Sequence, residues 1–333
     1  MIALAVQDQS QVSETRRRAT ETAARQGFGA ADAGRVALVA TELATNILKH
    51  GNGGEILVGA YGEGADSGIE LIALDKGPGI ANLAASLADG YSTAGTAGKG
   101  LGAVVRQSHF VDIASWPGNG TAVLARLKTG HPPQDSGDTS SSDTSRTGAV
   151  SVPKSGEEVC GDSWGVSVGP EETTLLVADG LGHGPDAAEA AVEAVRLFHR
   201  YNGHRTPVLL EYIHGGLRAT RGAAVSVARF QPASGKIVYA GVGNVAGVIA
   251  LGGELRRMVS MPGTAGHNAR KIQAFEYPFA TGLVILHSDG IASSWTLDRY
   301  PNLAARHPTL IAAVLYRDLT RHRDDATVLV AKW

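Results

Sequence analysis

The sequence predicts a two-domain α+β protein on three observations: a mid-chain stretch with almost nothing to bury, short apolar or alternating runs on both sides of it, and a minority of segments with helical periodicity. The mid-chain stretch, 131–158, reads HPPQDSGDTSSSDTSRTGAVSVPKSGEE. Ser, Thr, Asp, Gly and Pro at that density offer too little apolar surface to offset the entropy of ordering. Residues 129–157 are therefore expected to be a flexible linker, with one domain over 1–128 and a second over 158–333. A chain of 333 residues is long enough for two such cores.

In the first domain, residues from Ser10 to Gln26 have helical periodicity. Asp32 is placed to cap a second helix running through Arg35, Leu38, Glu42, Asn46 and Lys49, which Gly51 to Gly54 would end. EILVGAYGE and IELIALD, parted by glycine-rich residues, read as an antiparallel strand pair. VDIASW and TAVLARL flank Pro117-Gly118-Asn119-Gly120 and read as a hairpin. In the second domain, strand-like runs recur at GVSVG, TTLLVADG, AAVSVARF, KIVYAGVG, AGVIAL, GLVILHSDG and ATVLVAKW. Helical patterns fall at 186–201, 207–219 and 302–318, which makes this domain strand-rich α+β.

Composition excludes several functions. A formal net charge of -2 leaves no excess of Lys and Arg to neutralise many phosphates, so no nucleic-acid partner is expected. Arg16-Arg17-Arg18 lies in a helical pattern and reads as a solvated face. Cys160 is the single cysteine, so neither an intramolecular disulfide nor a cysteine metal cluster can form. No charged segment followed by an apolar run opens the sequence, and no stretch is apolar for the length of a membrane span. The expected location is the cytoplasm.

In TELATNILKH, Glu42 and Asn46 are one helical turn apart and share a face. The apolar run IELIALD then ends in Asp75-Lys76-Gly77-Pro78-Gly79-Ile80, and further along comes Gly98-Lys99-Gly100-Leu101-Gly102. Glycines let the backbone approach phosphates and present its N–H groups, and a helix beginning after Gly102 would add its positive end. A carboxylate at a strand end, as Asp75 would be, can accept a hydrogen bond from the exocyclic amine of a base. A dinucleotide fingerprint does not fit, because GKGLG lacks the G-x-G-x-x-G spacing, and no Walker A loop occurs.

Across residues 10–128 these boxes resemble the GHKL ATP-binding family, and within it the anti-sigma-factor and switch kinases typified by RsbW and RsbT. The match comprises Glu42-x-x-x-Asn46, the box from Asp75 to Ile80, the glycine box from Gly98 to Gly102 and the closing Gly120-Thr121. The resemblance implies a Bergerat-type ATP-binding α/β sandwich. It also implies ATP and Mg²⁺ as cofactors, with Asn46 on Mg²⁺ and Asp75 on the adenine amine. Gly77, Gly79, Gly98, Gly100, Gly102 and Thr121 would complete the nucleotide site, with the glycine boxes as a lid over the phosphates. Glu42 would be the general base that accepts the proton of a Ser or Thr hydroxyl during γ-phosphoryl transfer.

Downstream, LLVADG ends at Asp179-Gly180 and LVILHSDG at Asp289-Gly290. One Asp-Gly pair by itself marks a turn. Here Asp162 precedes a further strand-like run and Asp324-Asp325 precede the last, so four acidic corners gather at strand ends. Carboxylates brought together at one sheet edge repel unless hard cations with oxygen ligands neutralise them. Two divalent ions would account for the set and would serve in-line phosphoryl displacement with no nucleophilic side chain. Cys160 reads as packing, and His183 either as a residue that approaches the phosphate or as a loop-capping histidine.

From Cys160 onward, Gly161-Asp162, VADGLGHGPDAA, AGVGN, LVILHSDGI and DDATVLV resemble the PPM family of metal-dependent phosphatases, in the bacterial branch containing SpoIIE and RsbX. That resemblance implies a PPM-type αββα sandwich. Two ions, Mn²⁺ or Mg²⁺, would be held by Asp162, Asp179, the Gly180 carbonyl, Asp289 and Asp324, while Asp325 would either contact a metal-bound water or serve only as a turn residue. Together the two resemblances imply a partner-switching regulator. Its phosphatase would act on phospho-Ser/Thr of a STAS-domain antagonist or stress-complex protein, and its ATP-binding half would act as a Ser/Thr kinase. Further partners implied are a sigma factor or a downstream phosphatase. The alternatives are a purely regulatory ATP site, or a sequestering partner in which chemistry is secondary.

Overall fold

The structure, a computed structural model, describes residues 1–62, 64, 67–83, 100–130 and 145–333. It divides into two compact units, Met1–Thr144 and Ser145–Trp333.

The first unit runs β1 (Ile2–Val6), α1 (Gln9–Arg25), α2 (Ala30–His50), β2 (Gly54–Tyr61), β3 (Gly68–Asp75), α3 (Gly100–Gln107), β4 (Phe110–Ser115) and β5 (Thr121–Leu127). Its sheet has the order β1-β2-β3-β5-β4, and every neighbouring pair is antiparallel. The expected β2–β3 pair and the β4–β5 hairpin are both present. Helix α1 opens with a capping box: the Asp8 carboxylate accepts the N–H groups of Ser10 and Gln11, and the Gln11 side chain accepts that of Asp8. Asp32 does not cap α2, because Gly29 occupies that position. Asp32 sits in the first turn, where the helix dipole favours a carboxylate, and accepts from Arg35 at 2.7 Å and from the Gly130 N–H at 3.1 Å. It thereby ties α2 to the chain leaving β5.

Alternation along the strands sends Ile56, Val58, Ile69, Leu71, Val123 and Ala125 to one sheet face. There they meet Val36, Val39, Leu43 and Ile47 of α2 and Val12 and Ala19 of α1. Truncating a fully buried member such as Leu43 to alanine would cost about 2–5 kcal/mol. With this stripe turned inward, Glu42 and Asn46 are left on a partly buried flank of α2.

The second unit runs β6 (Thr147–Val152), β7 (Asp162–Val168), β8 (Thr173–Gly180), α4 (Pro185–Tyr201), α5 (Thr206–Gly216), β9 (Ala223–Gln231), β10 (Lys236–Val242), β11 (Ala246–Leu251), β12 (Glu254–Met258), β13 (Ala274–Pro278), β14 (Leu283–His287), α6 (Pro308–Leu319) and β15 (Ala326–Lys332). Two five-stranded sheets form, β13-β10-β9-β8-β7 and β12-β11-β14-β15-β6. Leu175 and Val177 of β8, with Ile237 and Tyr239 of β10, face Ile249, Val284, Leu286 and Leu329 of the other sheet. The alternate residues Leu176, Val225, Val227 and Ala240 face Leu197 and Phe198 of α4 and Leu209 and Ile213 of α5. Helix α6 packs on β15 and β6. The result is the expected αββα sandwich.

Two expectations are corrected. The stretch 129–157 is not linker throughout, because Thr147–Val152 form β6 and pair antiparallel with β15. Polar Ser and Thr there alternate with Ala149, Val150 and Val152, which are buried. The helix expected over 302–318 begins only at Pro308, after a 3₁₀ turn at Leu303–Ala305. The residue before a proline is held out of the helical region, and His307 instead caps α6 through the Thr309 N–H. Residues 131–144 of the expected linker lie outside the described residues. Among the described residues no helix is long and apolar enough to cross a membrane.

Candidate functional sites

In the N-terminal unit, β3 delivers Asp75 to the end of α2. A β-carbon on Gly51, just past α2, would stand 2.6 Å from the Asp75 Cβ, so the absent side chain is what lets the helix end and the carboxylate meet. Asp75 Oδ1 accepts the N–H groups of Gly77 at 2.9 Å and Thr121 at 3.1 Å. These bonds orient the carboxylate and fold the Asp75–Ile80 turn back on it. Gly79 and Gly120 both have positive φ, and a β-carbon on Gly120 would fall 2.1 Å from the Asp75 carbonyl oxygen. The Ser115 hydroxyl completes the clamp by accepting the Ile80 N–H at 2.7 Å and lying 2.8 Å from the Thr121 hydroxyl.

Asn46 lies one turn before the α2 terminus and faces α3. A β-carbon on Gly100 would be 3.4 Å from its Oδ1, and its Nδ2 is buried without a hydrogen-bond partner. A buried N–H donor left unpaired calls for an acceptor, which a phosphate oxygen would supply, while Oδ1 is the atom of this carboxamide that could face a cation. Gly100 and Gly102 lie within α3 rather than ahead of it, since close packing of α2 on α3 at Gly100 admits the first turn of helix there. Gly98 lies outside the described residues, and with it part of the expected lid.

In the C-terminal unit the expected acidic residues converge. Asp162 opens β7 and Asp179 closes β8, and they are direct cross-strand partners. Asp289 follows β14 and Asp324-Asp325 precede β15, so the second sheet brings its carboxylates to the same corner. Glycines allow the crowding: a β-carbon on Gly180 would stand 2.0 Å from the Ala187 carbonyl oxygen, and one on Gly290 1.9 Å from that of Asp325.

The electrostatics record this convergence. Burial and the charges of Asp325 and Asp289 push the Asp162 carboxyl up to about 7, against hydroxyls of Ser288 and Thr327 that lower it. Burial together with the charges of Asp162, Asp289 and Asp324 pushes Asp179 up to about 9. Burial and Asp324 also raise Asp289, which Arg321 partly offsets. Asp162 Oδ2 and Asp325 Oδ2 are buried without a hydrogen-bond partner. Hard oxygen donors, mutual repulsion and unpaired buried atoms are what a divalent-cation site requires. Among the described residues no three carboxylates, imidazoles or thiols are drawn into a ready-made ligand set.

Asp325, which the sequence presents as a turn residue, is only 3% exposed. Its Oδ1 accepts the Lys154 N–H at 2.9 Å. Asp324 is the exposed member of the pair. His183 pairs with Glu157 at 2.6 Å on the surface of the Gly182-His183-Gly184 turn. Burial and the nearby Asp162 push the Cys160 thiol up to about 12, which suits packing and not thiolate chemistry. Sequence reasoning missed Asn244, whose amide donates to Asp289, along with Ser288 and Thr327 beside Asp162. The quoted runs AGVGN, LVILHSDGI and DDATVLV contain all three, so the signal was adjacency to the carboxylates.

A nucleotide-type corner on one α/β sandwich and an acidic, cation-type corner on an αββα sandwich define a two-domain α+β protein of the phosphoryl-chemistry class. Residues 5–127 match the histidine kinase-like ATPase domain, and residues 169–333 match Stage II sporulation protein E (SpoIIE). The serine/threonine-protein kinase RsbT of Bacillus subtilis is 35% identical over 99 residues, covering 30% of this chain and 74% of RsbT. A solved structure described as the bacterial stressosome, a modular system adapted to control secondary messenger signalling, is 28% identical with a TM-score of 0.52. That match covers 56% of this chain and 98% of the other. The chain belongs to the histidine kinase-like ATPase family alongside RsbT, and it carries a C-terminal domain of the SpoIIE, PPM phosphatase type.

Proposed function

We propose that the protein is a partner-switching regulator whose C-terminal unit removes phosphate from phosphoserine or phosphothreonine of a STAS-domain partner. Its N-terminal unit would bind ATP with Mg²⁺ and phosphorylate a Ser or Thr of such a partner. The observation that carries the first part is the gathering of Asp162, Asp179, Asp289 and Asp324 from four strand ends, with the carboxyls of Asp162 and Asp179 pushed far up and that of Asp289 raised. These side chains and the Gly180 carbonyl would hold two Mn²⁺ or Mg²⁺ ions, which when bound supply Lewis-acid activation of a water and of the phosphoryl oxygens. Asp162 and Asp179, paired across two strands, fix the middle of the site. Asn244 orients Asp289 by its hydrogen bond, and Asp325 braces the corner through Lys154.

In the N-terminal unit, Asp75, whose carboxylate accepts two backbone N–H groups, would accept the adenine amine, and Asn46 would hold the cation. Glu42, one turn before Asn46, would accept the hydroxyl proton of the protein substrate. The likeness to RsbT, a serine/threonine-protein kinase, supports this half. The stressosome likeness supports a partner from such a complex. Opposed activities in one chain imply separate substrates or a control that keeps them apart. An ATP-using regulator with a single free thiol suits the cytoplasm.

The test is phosphate release from a phosphorylated STAS-domain protein by the purified chain with Mn²⁺, run beside Asp179→Asn and beside excess chelator. Release by wild type alone supports the proposal. Equal release by the variant, or silence of wild type on every phosphoprotein and phosphoester, refutes the phosphatase reading.

A further inference from the structure

The apolar core between the two sheets of the second unit changes character at one end. Alternation along the strands sends Leu286 of β14, Leu329 of β15 and Ala149 of β6 toward the facing sheet, where they join Leu175 and Val177 of β8. Two positions nearer the acidic corner, the same alternation brings Ser288, Thr327 and Ser151 onto that face, with Thr327 and Ser151 direct cross-strand partners. On the facing sheet the corresponding step leads from Val177 to Asp179 and its partner Asp162. A row of hydroxyls thus takes the place of a further apolar layer where the sheets reach the carboxylates.

Ser288 and Thr327 are fully buried, and a buried hydroxyl is costly unless it is hydrogen-bonded. The Thr327 N–H donates to Ser288 Oγ at 2.9 Å, which leaves the Ser288 proton for another acceptor. Thr327 Oγ1 donates to Ser151 Oγ at 2.8 Å, and Ser151 Oγ lies 3.4 Å from Cys160 Sγ. The hydroxyls of Ser288 and Thr327 also hydrogen-bond the Asp162 carboxyl. Asp162 Oδ2 is nevertheless buried without a partner, so the hydroxyls serve its other oxygen. Thr327 has one proton to give. Toward an ionised Asp162 the row can turn so that Thr327 donates to the carboxylate and Ser151 to Thr327, with the Cys160 thiol, kept protonated by burial, next in line.

We propose that Ser288, Thr327 and Ser151 are positioning residues of the cation centre: their hydroxyls hold one oxygen of Asp162 and leave Oδ2 for the ions. This rests on the reading of the acidic corner as a cation site and deepens it by naming the groups that orient one of its ligands. A carboxylate fixed by hydrogen bonds through one oxygen gives up its rotational freedom on folding and not on binding, so an arriving ion meets a preorganised ligand.

The experiment titrates Mn²⁺ into the chelator-stripped full chain and reads bound ions by electron paramagnetic resonance, so that turnover is not needed. Thr327→Val, which keeps the branched shape and loses the hydroxyl, and Ser288→Ala are each expected to weaken Mn²⁺ binding about tenfold or more. Thr327→Ser keeps the hydroxyl and should bind within about threefold of wild type. Ser151→Ala, one hydroxyl further from the carboxylate, should give a smaller loss in the same sense, and saturating Mn²⁺ should recover the wild-type count of ions in every variant. Wild-type Mn²⁺ affinity in Thr327→Val or Ser288→Ala overturns the proposal, and Ser288→Ala decides alone where Thr327→Val does not fold. A Thr327→Ser chain that binds as weakly as Thr327→Val overturns it too, since the side-chain shape and not the hydroxyl would then matter. A wild type that binds no Mn²⁺ sinks the cation reading and this proposal with it, whereas equal binding by wild type and variants sinks the proposal alone.

Discussion

Asp179→Asn separates the demands of folding from those of chemistry. In the cation-free protein the Asp179 carboxyl is pushed up to about 9 by burial and by the charges of Asp162, Asp289 and Asp324. At pH 8, below that value, the folded unit holds Asp179 mostly protonated, whereas the unfolded chain has released that proton near pH 4, so folding must take a proton up at a cost. Each pKa unit corresponds to about 1.4 kcal/mol. An asparagine keeps the volume and is neutral at every pH, so that proton uptake is no longer needed, a gain on the order of 2 kcal/mol or more. For a unit of this size that is a rise of about 4–8 °C in melting temperature. Differential scanning calorimetry of the full chain in chelator at pH 8 should show the C-terminal transition of Asp179→Asn above that of wild type. In Mn²⁺ the order should reverse, because wild type gains stability from binding and the variant loses a ligand. A variant that melts at or below wild type in chelator would refute the electrostatic account.

Other outcomes follow from the same geometry. The folded cation-free unit keeps protons on Asp162 and Asp179 that the unfolded chain releases near pH 4. Its stability should fall as pH rises from about 4 through about 7 and on toward 9, by roughly 1 kcal/mol per pH unit for each proton; a flat urea-denaturation profile over that range would contradict this. Gly120→Ala places a β-carbon 2.1 Å from the Asp75 carbonyl in a positive-φ turn, so affinity for a fluorescent ATP analogue should fall about tenfold or more while phosphatase activity persists. Glu42→Gln should leave ATP affinity within about threefold and lower phosphoryl transfer by about 100-fold or more in a radiolabel assay. Transfer at the wild-type rate would remove Glu42 from its role as base.

The sequence made the strands of each sheet centre legible and left four edge strands unread. β1, β6, β12 and β13 are each at a sheet margin, and in β12 charged residues interrupt the apolar run, ELRRM. β6 was further masked by the Ser- and Thr-rich composition around it. The acidic corner was legible because Asp-Gly after a buried strand is a local pattern, and so was Asp75. The burial of Asp325 was not legible, because it is set by the loop at Lys154, far away in sequence. Asp32 fitted a capping pattern, but its partners Arg35 and Gly130 drew it into the first turn.

The central claim is that the acidic corner of the second unit is a divalent-cation centre. It is tested most directly by titrating Mn²⁺ into the chelator-stripped full chain, without nucleotide, and counting bound ions by electron paramagnetic resonance for wild type and Asp162→Asn. The account predicts two ions per wild-type chain and fewer in the variant. Equal binding by both proteins, or none by wild type, would contradict it.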